Sequence, residues 1–362
     1  TCSCVGVHNG FGILDPCEVV YMFLSNIWYF ALSGKSLKSG DMTSIKMCGQ
    51  PILLGRTKEG TPFALRDICP HRGIPLTSGR FDGKEVECCY HGWRFNEKGK
   101  CTEIPSLAKG QDFDLSKIKV KTYPCEEVQG NIWVFLGDEK ANPKDIPLVP
   151  NMMGAENTPR LAFSRIFPCS TDHAIIGLMD PAHGPYVHQS WFWRSKKSSH
   201  EKQKQFAPVP RGFQMCRHRA SKNSKAYKLL GGVPETEITF TLPGVRREHI
   251  QTGKHSLCSL TTITPIDENT SQIHQTFYWT MPWLVFFKPL LTYIAKTFLD
   301  QDRDAIIAQG KGLEYNPPLM LINDADTQAK WYFRLKKEHA LAQEEKRAFK
   351  NPVKECILQW KS

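Results

Sequence analysis

The stretch "CPHRGIPLTSGRFDGKEVECCYHGW", Cys69 to Trp93, constrains this chain more than any other part of it. It holds two Cys-His pairs, Cys69 with His71 and Cys88 with His91, spaced C-x-H and C-x2-H. Four donors of two kinds in one pair of loops indicate a metal centre. A structural zinc site usually groups its cysteines as C-x(2–4)-C and its histidines as H-x(3–5)-H. Here each loop supplies one thiolate and one imidazole instead, which argues against zinc.

A two-iron cluster of the Rieske type needs that split, with two thiolates on one iron and two imidazoles on the other. Each loop then gives one ligand to each iron. Neutral imidazoles leave the cluster less negative than four thiolates would, and raise its potential. Cys88 and Cys89 are adjacent. The C-x2-H spacing to His91 selects Cys88 as the ligand and leaves Cys89 a bystander.

The chain has 362 residues, 41% hydrophobic and 23% charged, a globular composition long enough for two domains. Its 13 cysteines are scattered, several of them near histidines. That distribution reads as metal binding in a reducing compartment, hence a cytoplasmic location, rather than as a disulfide framework. The net charge of +11 suits nucleic acid, anionic lipid or an acidic protein. No RNP-like, helix-turn-helix or zinc-finger pattern accompanies it, which removes nucleic acid. The charge is spread, with denser segments at "RSKKSSHEKQKQ" and "LKKEHALAQEEKRAFKNPVK". A solvated basic face is the plain reading, and an acidic redox partner the sharper one.

Residues 1–24 show no signal-peptide pattern and are expected to form a leader whose role the sequence does not reveal. From there to residue 140, short apolar runs alternate with turn signals, predicting a small all-β domain that carries the Cys-His loops. In it "VECCYHGWRFNEKGKC" reads as a hairpin and "NIWVFLGD" as a buried strand. "EKANPKDIPLVPNMMG" reads as a linker. Residues 141–362 mix helix and strand, an α+β pattern. "FPCSTDHAIIGLMDPAHG" has helical periodicity until Pro185, "EITFTLPG" and "SLCSLTTITPIDENTSQIHQTFYWTMP" read as strands, and the lysine-rich tail as a surface helix.

The longest apolar stretch, Met281 to Leu299, is interrupted by Lys288, Pro289 and Lys296 and falls short of a membrane span. Trp283, Phe286, Phe287, Leu290, Ile294 and Phe298 recur at helical spacing, which predicts a core-facing helix; a membrane-surface helix is the alternative.

A second constellation lies in "MDPAHGPYVHQSW": Asp180, His183 and His188. Two histidines and a carboxylate with open positions form the facial triad of non-heme Fe(II) sites that activate O2. On a regular helix His183 and His188 would sit roughly 140° apart, so the helix must distort or end between them, where Gly184-Pro185 stands. Asp180, three residues before His183, is expected on the same face, orienting that imidazole. For the third ligand, "FLDQDRDAIIAQ" offers Asp300, Asp302 and Asp304. Asp302 continues the four-residue steps of Ile294, Phe298 and Ile306, so it falls on the apolar face. A carboxylate there is costly unless paired or bound to metal.

With these motifs in place, the chain resembles the catalytic α-subunit of the Rieske non-heme iron oxygenases. The resemblance covers residues 27–309 and rests on "CPHRG", "CCYHGW", "NIWVFLGD", "DPAHGPYVH" and "DQDRDAIIAQ". It implies an all-β Rieske domain followed by a helix-grip (START-like) catalytic domain with a substrate cavity, in a head-to-tail homotrimer. It also makes Asp180 the carboxylate that bridges His183 and His91 of the next subunit. The length is similar to that of the homotrimeric monooxygenase and demethylase branch, and "MDPAHGPYVH" resembles the pheophorbide and chlorophyllide oxygenases. The chain departs from the pattern twice. Cys89 occupies a slot that holds Pro in most relatives, and Ile176 and Gly177 stand where relatives often carry an Asn near the iron.

The expected function is therefore a terminal oxygenase. Its cofactors would be a [2Fe-2S] cluster and a mononuclear Fe(II), with O2 as co-substrate. Electrons would come from a separate reductase or ferredoxin, because no G-x-G-x-x-G nucleotide fingerprint follows a strand here. The substrate would be a hydrophobic small molecule, a reading to which Trp191, Phe192, Trp193, Phe277, Tyr278, Trp279 and Trp283 contribute little, since aromatic stripes are more often core. Two other readings make different predictions: an electron carrier would hold cluster iron but no mononuclear iron, and a zinc-stabilised interaction protein would be colourless.

Overall fold

The computed structural model describes residues 12–13, 22–111, 113–152, 158–188, 199–219, 233–253 and 255–362. Most of the expected leader, and Trp191, Phe192 and Trp193, lie outside the described residues.

The N-terminal region is all β: β1 (Ile27–Ser33), β2 (Met42–Met47), β3 (Gln50–Arg56), β4 (Pro62–Arg66), β5 (Arg80–Phe81), β6 (Glu85–Glu87), β7 (Arg94–Asn96), β8 (Cys101–Glu103), β9 (Thr122–Tyr123), β10 (Cys125–Val128) and β11 (Asn131–Leu136). They form three antiparallel sheets in the orders β9-β4-β3-β2, β10-β11-β1 and β5-β6-β7-β8. Every residue of β11 is buried, which its apolar run "NIWVFL" requires of a strand covered on both faces. One face of β1 and β11 (Ile27, Tyr29, Ala31, Ile132, Val134) joins the largest core. The other (Trp28, Phe30, Trp133, Phe135) packs on Val245, Cys258, Leu260 and Tyr278. The Cys-His hairpin has a separate core built on Leu53, Leu65, Leu76, Val86 and Phe95.

The C-terminal region is built on one eight-stranded antiparallel sheet. Its strands are β12 (Leu161–Phe167), β13 (Glu201–Val209), β14 (Gly212–Arg219), β15 (Glu235–Thr241), β16 (Val245–Thr252), β17 (His255–Asp267), β18 (Thr270–Trp279) and β19 (Cys356–Lys361), in the order β12-β18-β17-β16-β15-β14-β13-β19. The helices are α1 (Thr171–Met179), α2 (Gly184–Val187), α3 (Lys288–Leu313) and α4 (Thr327–Glu344). Ala174, Ile175 and Met179 of α1, Ile306 of α3 and Trp331, Tyr332 and Leu335 of α4 bury themselves with Phe206, Phe213 and Phe240 of the sheet. The all-β plus α+β expectation therefore holds. The two regions share cores rather than meeting only at a linker; the segment read as a linker itself buries Ile146, Val149 and Met152.

Three sequence-based expectations need correction. The helix expected to reach Pro185 stops at Met179, because Pro181 biases Asp180 to extended geometry (φ −62°, ψ 118°). The lysine-rich tail is not a surface helix: α4 buries Trp331, Tyr332, Leu335 and His339, and the chain then ends in β19, paired with β13. The apolar stretch from Met281 is not core-facing as a whole. Its first turns, a 3-10 segment Pro282–Phe287 running into α3, leave Trp283, Phe286, Phe287 and Leu290 exposed, while Met281 and Leu284 are buried. Among the described residues, no helix is long and apolar enough to cross a membrane.

Candidate metal centres

The two Cys-His loops are built on one plan. Cys69 N–H donates to the Ile74 carbonyl (2.8 Å) and Gly73 N–H to the Cys69 carbonyl (2.9 Å). In the second loop Cys88 N–H donates to the Trp93 carbonyl (2.9 Å) and Gly92 N–H to the Cys88 carbonyl (3.0 Å). Each loop thus turns at a glycine four residues after its cysteine, and both glycines have positive φ, +76° at Gly73 and +70° at Gly92. That is the physical content of "HRG" and "HGW". The plan also separates the adjacent thiols: Cys88 occupies the position equivalent to Cys69 and is buried, whereas Cys89 is exposed.

Cys69, His71, Cys88 and His91 line one small pocket, together with Tyr90 and Trp93. The imidazoles of His71 and His91 lie 4.5 Å apart between centroids, and Trp93 stacks on His71 at 4.5 Å and 4°. Burial, with Cys88 beside it, pushes the Cys69 thiol up to about 11. The buried Trp93 indole N–H has no partner. Two thiols, two imidazoles and a spare buried donor around one cavity fit an iron–sulfur cluster, whose sulfides accept hydrogen bonds.

The second cluster of donors comes from the α1–α2 corner and from α3. His183 precedes α2 and His188 follows it, so the four-residue helix ends between them. His183 Nδ1 donates to the main-chain carbonyl of Asp180 at 2.8 Å. His188 Nδ1 donates to Gln301 Oε1 at 3.1 Å, and Phe298 stacks on the same ring at 3.4 Å and 18°. With both Nδ1 atoms donating, both Nε2 atoms present bare lone pairs. These face each other at 3.1 Å, with Asp302 Oδ1 at 3.1 Å from His188 and 3.5 Å from His183. Three acceptors converging within 4.8 Å make a site that a metal cation can occupy. The set of two imidazoles and one carboxylate fits ferrous iron.

The competing carboxylates are accounted for. Asp300 pairs with Arg165 at 2.8 Å on the side of β12, which holds its carboxyl below the usual range, and Asp304 is exposed. Asp180 differs from expectation in how it acts on His183. Its main-chain carbonyl makes the hydrogen bond, while its carboxylate Oδ2 stands 3.7 Å from His183 Nδ1 and the other oxygen, Oδ1, accepts from Ala182 N–H at 2.7 Å. Burial pushes the Asp180 carboxyl up. Sequence reasoning missed Gln301 and Phe298 as partners of His188; both flank Asp302 on α3, one residue and one turn before it.

The comparisons with known proteins concern mainly the region of the Cys-His loops and the fold. A family described as the Rieske [2Fe-2S] domain matches residues 27–124. The chain is 31% identical over 171 residues to chlorophyllide a oxygenase, chloroplastic, from Arabidopsis thaliana, covering 47% of this chain and 30% of that protein. It is 38% identical over 136 residues to the 4beta-methylsterol monooxygenase of Methylococcus capsulatus, covering 37% of each. The matches thus span about a third of the length of these curated relatives. The fold is similar to the crystal structure of dicamba monooxygenase bound to dicamba, with a TM-score of 0.70 and 20% identity over 88% of this chain and 99% of that one. The chain carries a Rieske [2Fe-2S] domain over residues 27–124, part of its sequence is similar to that of oxygenases, and its fold is similar to that of dicamba monooxygenase.

Proposed function

We propose that this protein is a terminal oxygenase that uses O2 and externally supplied electrons to hydroxylate, or oxidatively demethylate, a hydrophobic small molecule. The observation that carries this reading is the convergence of His183, His188 and Asp302. A pure electron carrier has no use for three uncompensated acceptors aimed at one point. In this reading residues 25–140 hold a [2Fe-2S] cluster through Cys69, His71, Cys88 and His91, and residues 141–362 hold a ferrous ion through His183, His188 and Asp302. When bound, the cluster relays single electrons and the ferrous ion supplies the O2 chemistry.

The chain's own residues do the positioning. Asp180 and Gln301 fix the two imidazoles in the tautomer that leaves Nε2 free, and Phe298 covers one ring face of the buried His188. His71 and His91 are half-buried and the neighbouring Tyr90 is exposed; Asp180 and His183 are likewise half-buried and beside an exposed Tyr186. Both centres therefore reach the protein surface, which suits a head-to-tail homotrimer in which Asp180 links His183 to His91 of the next subunit. Electrons would come from a separate reductase or ferredoxin. The substrate class is supported by the relatives' names, which specify a chlorophyllide and a methylsterol. Ten unpaired cysteines among the described residues suit a reducing compartment such as the cytoplasm.

Metal and acid-labile sulfide analysis with EPR on anaerobically purified protein tests the reading. About three irons per chain with a Rieske-type reduced signal are expected, falling to about two in the His183→Ala/His188→Ala variant. About two irons in the unaltered protein after Fe(II) reconstitution would establish the electron carrier instead, and zinc without sulfide would exclude both.

A further inference from the structure

The start of α3 has two unlike faces. Met281, Leu284 and Leu291 turn inward and pack with Trp279, Leu161 and Leu257 in a small core of their own. On the outside Trp283, Val285, Phe286, Phe287, Leu290 and Tyr293 are exposed, Phe286 by 82% and Tyr293 by 68%. Six large apolar side chains in eleven residues form a contiguous tip, with the Trp283 and Phe287 rings edge to face at 5.9 Å. Isolated exposed apolar residues are ordinary, but a patch this dense marks a binding surface.

Its charge indicates the occupant. From Asn269 to Leu299 the sequence contains no Asp or Glu, while Lys288 and Lys296 are the only Lys or Arg residues, and the chain as a whole carries +11. Exposed aromatic rings, Leu and Val with lysines in the same segment are the composition of a helix that lies in the headgroup layer of an anionic bilayer, where lysine stems can cover apolar surface and keep their ammonium groups in water. An acidic electron-transfer protein would have to approach the Cys-His hairpin, which belongs to a different region and a different core.

We propose that the segment Met281–Ile294 docks this protein onto anionic lipid membranes. It inserts its aromatic tip at headgroup depth without crossing the bilayer. The same helix carries Asp302, about 21 Å along its axis from Lys288. On the oxygenase reading, which this consequence alone rests on, an apolar substrate dissolved in the bilayer has a short route to the iron ligands.

The test uses the full chain with its metals bound, floated with phosphatidylglycerol–phosphatidylcholine vesicles and with phosphatidylcholine vesicles. Binding to the anionic vesicles is expected, with Trp283 quenched by brominated lipid. A Phe286→Glu/Tyr293→Glu variant is expected to partition about tenfold more weakly or worse, with unchanged cluster absorbance as the control for folding. Lys288→Gln/Lys296→Gln should weaken binding to the anionic vesicles only. No flotation of the unaltered protein, or flotation equal in the Phe286/Tyr293 variant, would overturn the proposal. So would a change of oligomeric state in that variant without loss of lipid binding, which would make the patch a contact between copies. None of these readouts depends on catalytic activity, so failure here leaves the oxygenase reading standing, and the converse.

Discussion

Gln301 does for His188 what the Asp180 carbonyl does for His183: it accepts from Nδ1 and so frees Nε2. A partner of this kind is typically worth about 10–100-fold in metal affinity. Gln301→Ala is expected to lower Fe(II) retention by that amount while leaving the cluster spectrum intact. Gln301→Glu, which keeps an acceptor, should recover most of it. Iron titration of the cluster-loaded protein reads both. At the hairpin, Cys88→Ser should abolish the cluster's visible absorbance and Cys89→Ser should leave it unchanged, since only Cys88 occupies the loop position equivalent to Cys69. The cysteine choice was legible from spacing alone, and Asp302 from the cost of a carboxylate on an apolar helical face. Gln301 was not legible: a glutamine beside an aspartate has no periodicity or charge that distinguishes it, and only the folded geometry aims its amide oxygen.

At the scale of elements, the paired loops depend on their glycines unequally. A Cβ on Gly92 would meet Pro105 Cγ at 3.0 Å as well as face a φ of +70°, whereas one on Gly73 at +76° meets nothing within 4 Å. Gly73→Ala should therefore cost about 1 kcal/mol of backbone strain, and Gly92→Ala about 2 kcal/mol or more with partial loss of cluster; thermal midpoints and absorbance per chain give the order. Strands and hairpins were legible because apolar runs between turn residues leave little choice. The helix around Asp180 was misread through weighing periodicity over the X-Pro rule, with Pro181 in plain sight. The start of α3 was misread for a different reason. Helical spacing of apolar residues says that they share a face, and does not say what covers that face.

At the scale of the whole molecule, buried histidines are expected to make stability fall in acid. His274 on β18 is buried against Phe30 of β1 (4.6 Å between rings), its Nε2 unpartnered, and burial pulls it down from 6.5 to about 3. The folded state holds the neutral ring, so its contribution is complete above pH 6.5 and is lost as pH falls toward 3, by about 1.4 kcal/mol for each pH unit below 6.5. His249 and His339 are lowered by burial in the same direction. Thermal midpoints at pH 7.5 and 5.5 should differ markedly, and His274→Gln should narrow the gap. That two regions exist was legible from the order of motifs, but their shared cores were not, because Val245, Cys258, Leu260 and Tyr278, which pack in one core with Trp28 and Phe30, lie more than two hundred residues away. The hairpin, by contrast, closes on a core made only from its own neighbourhood. This has a consequence for biogenesis. The large body is expected to reach its folded form before any iron arrives, so that cluster loss loosens the hairpin first; circular dichroism of the iron-free protein checks it.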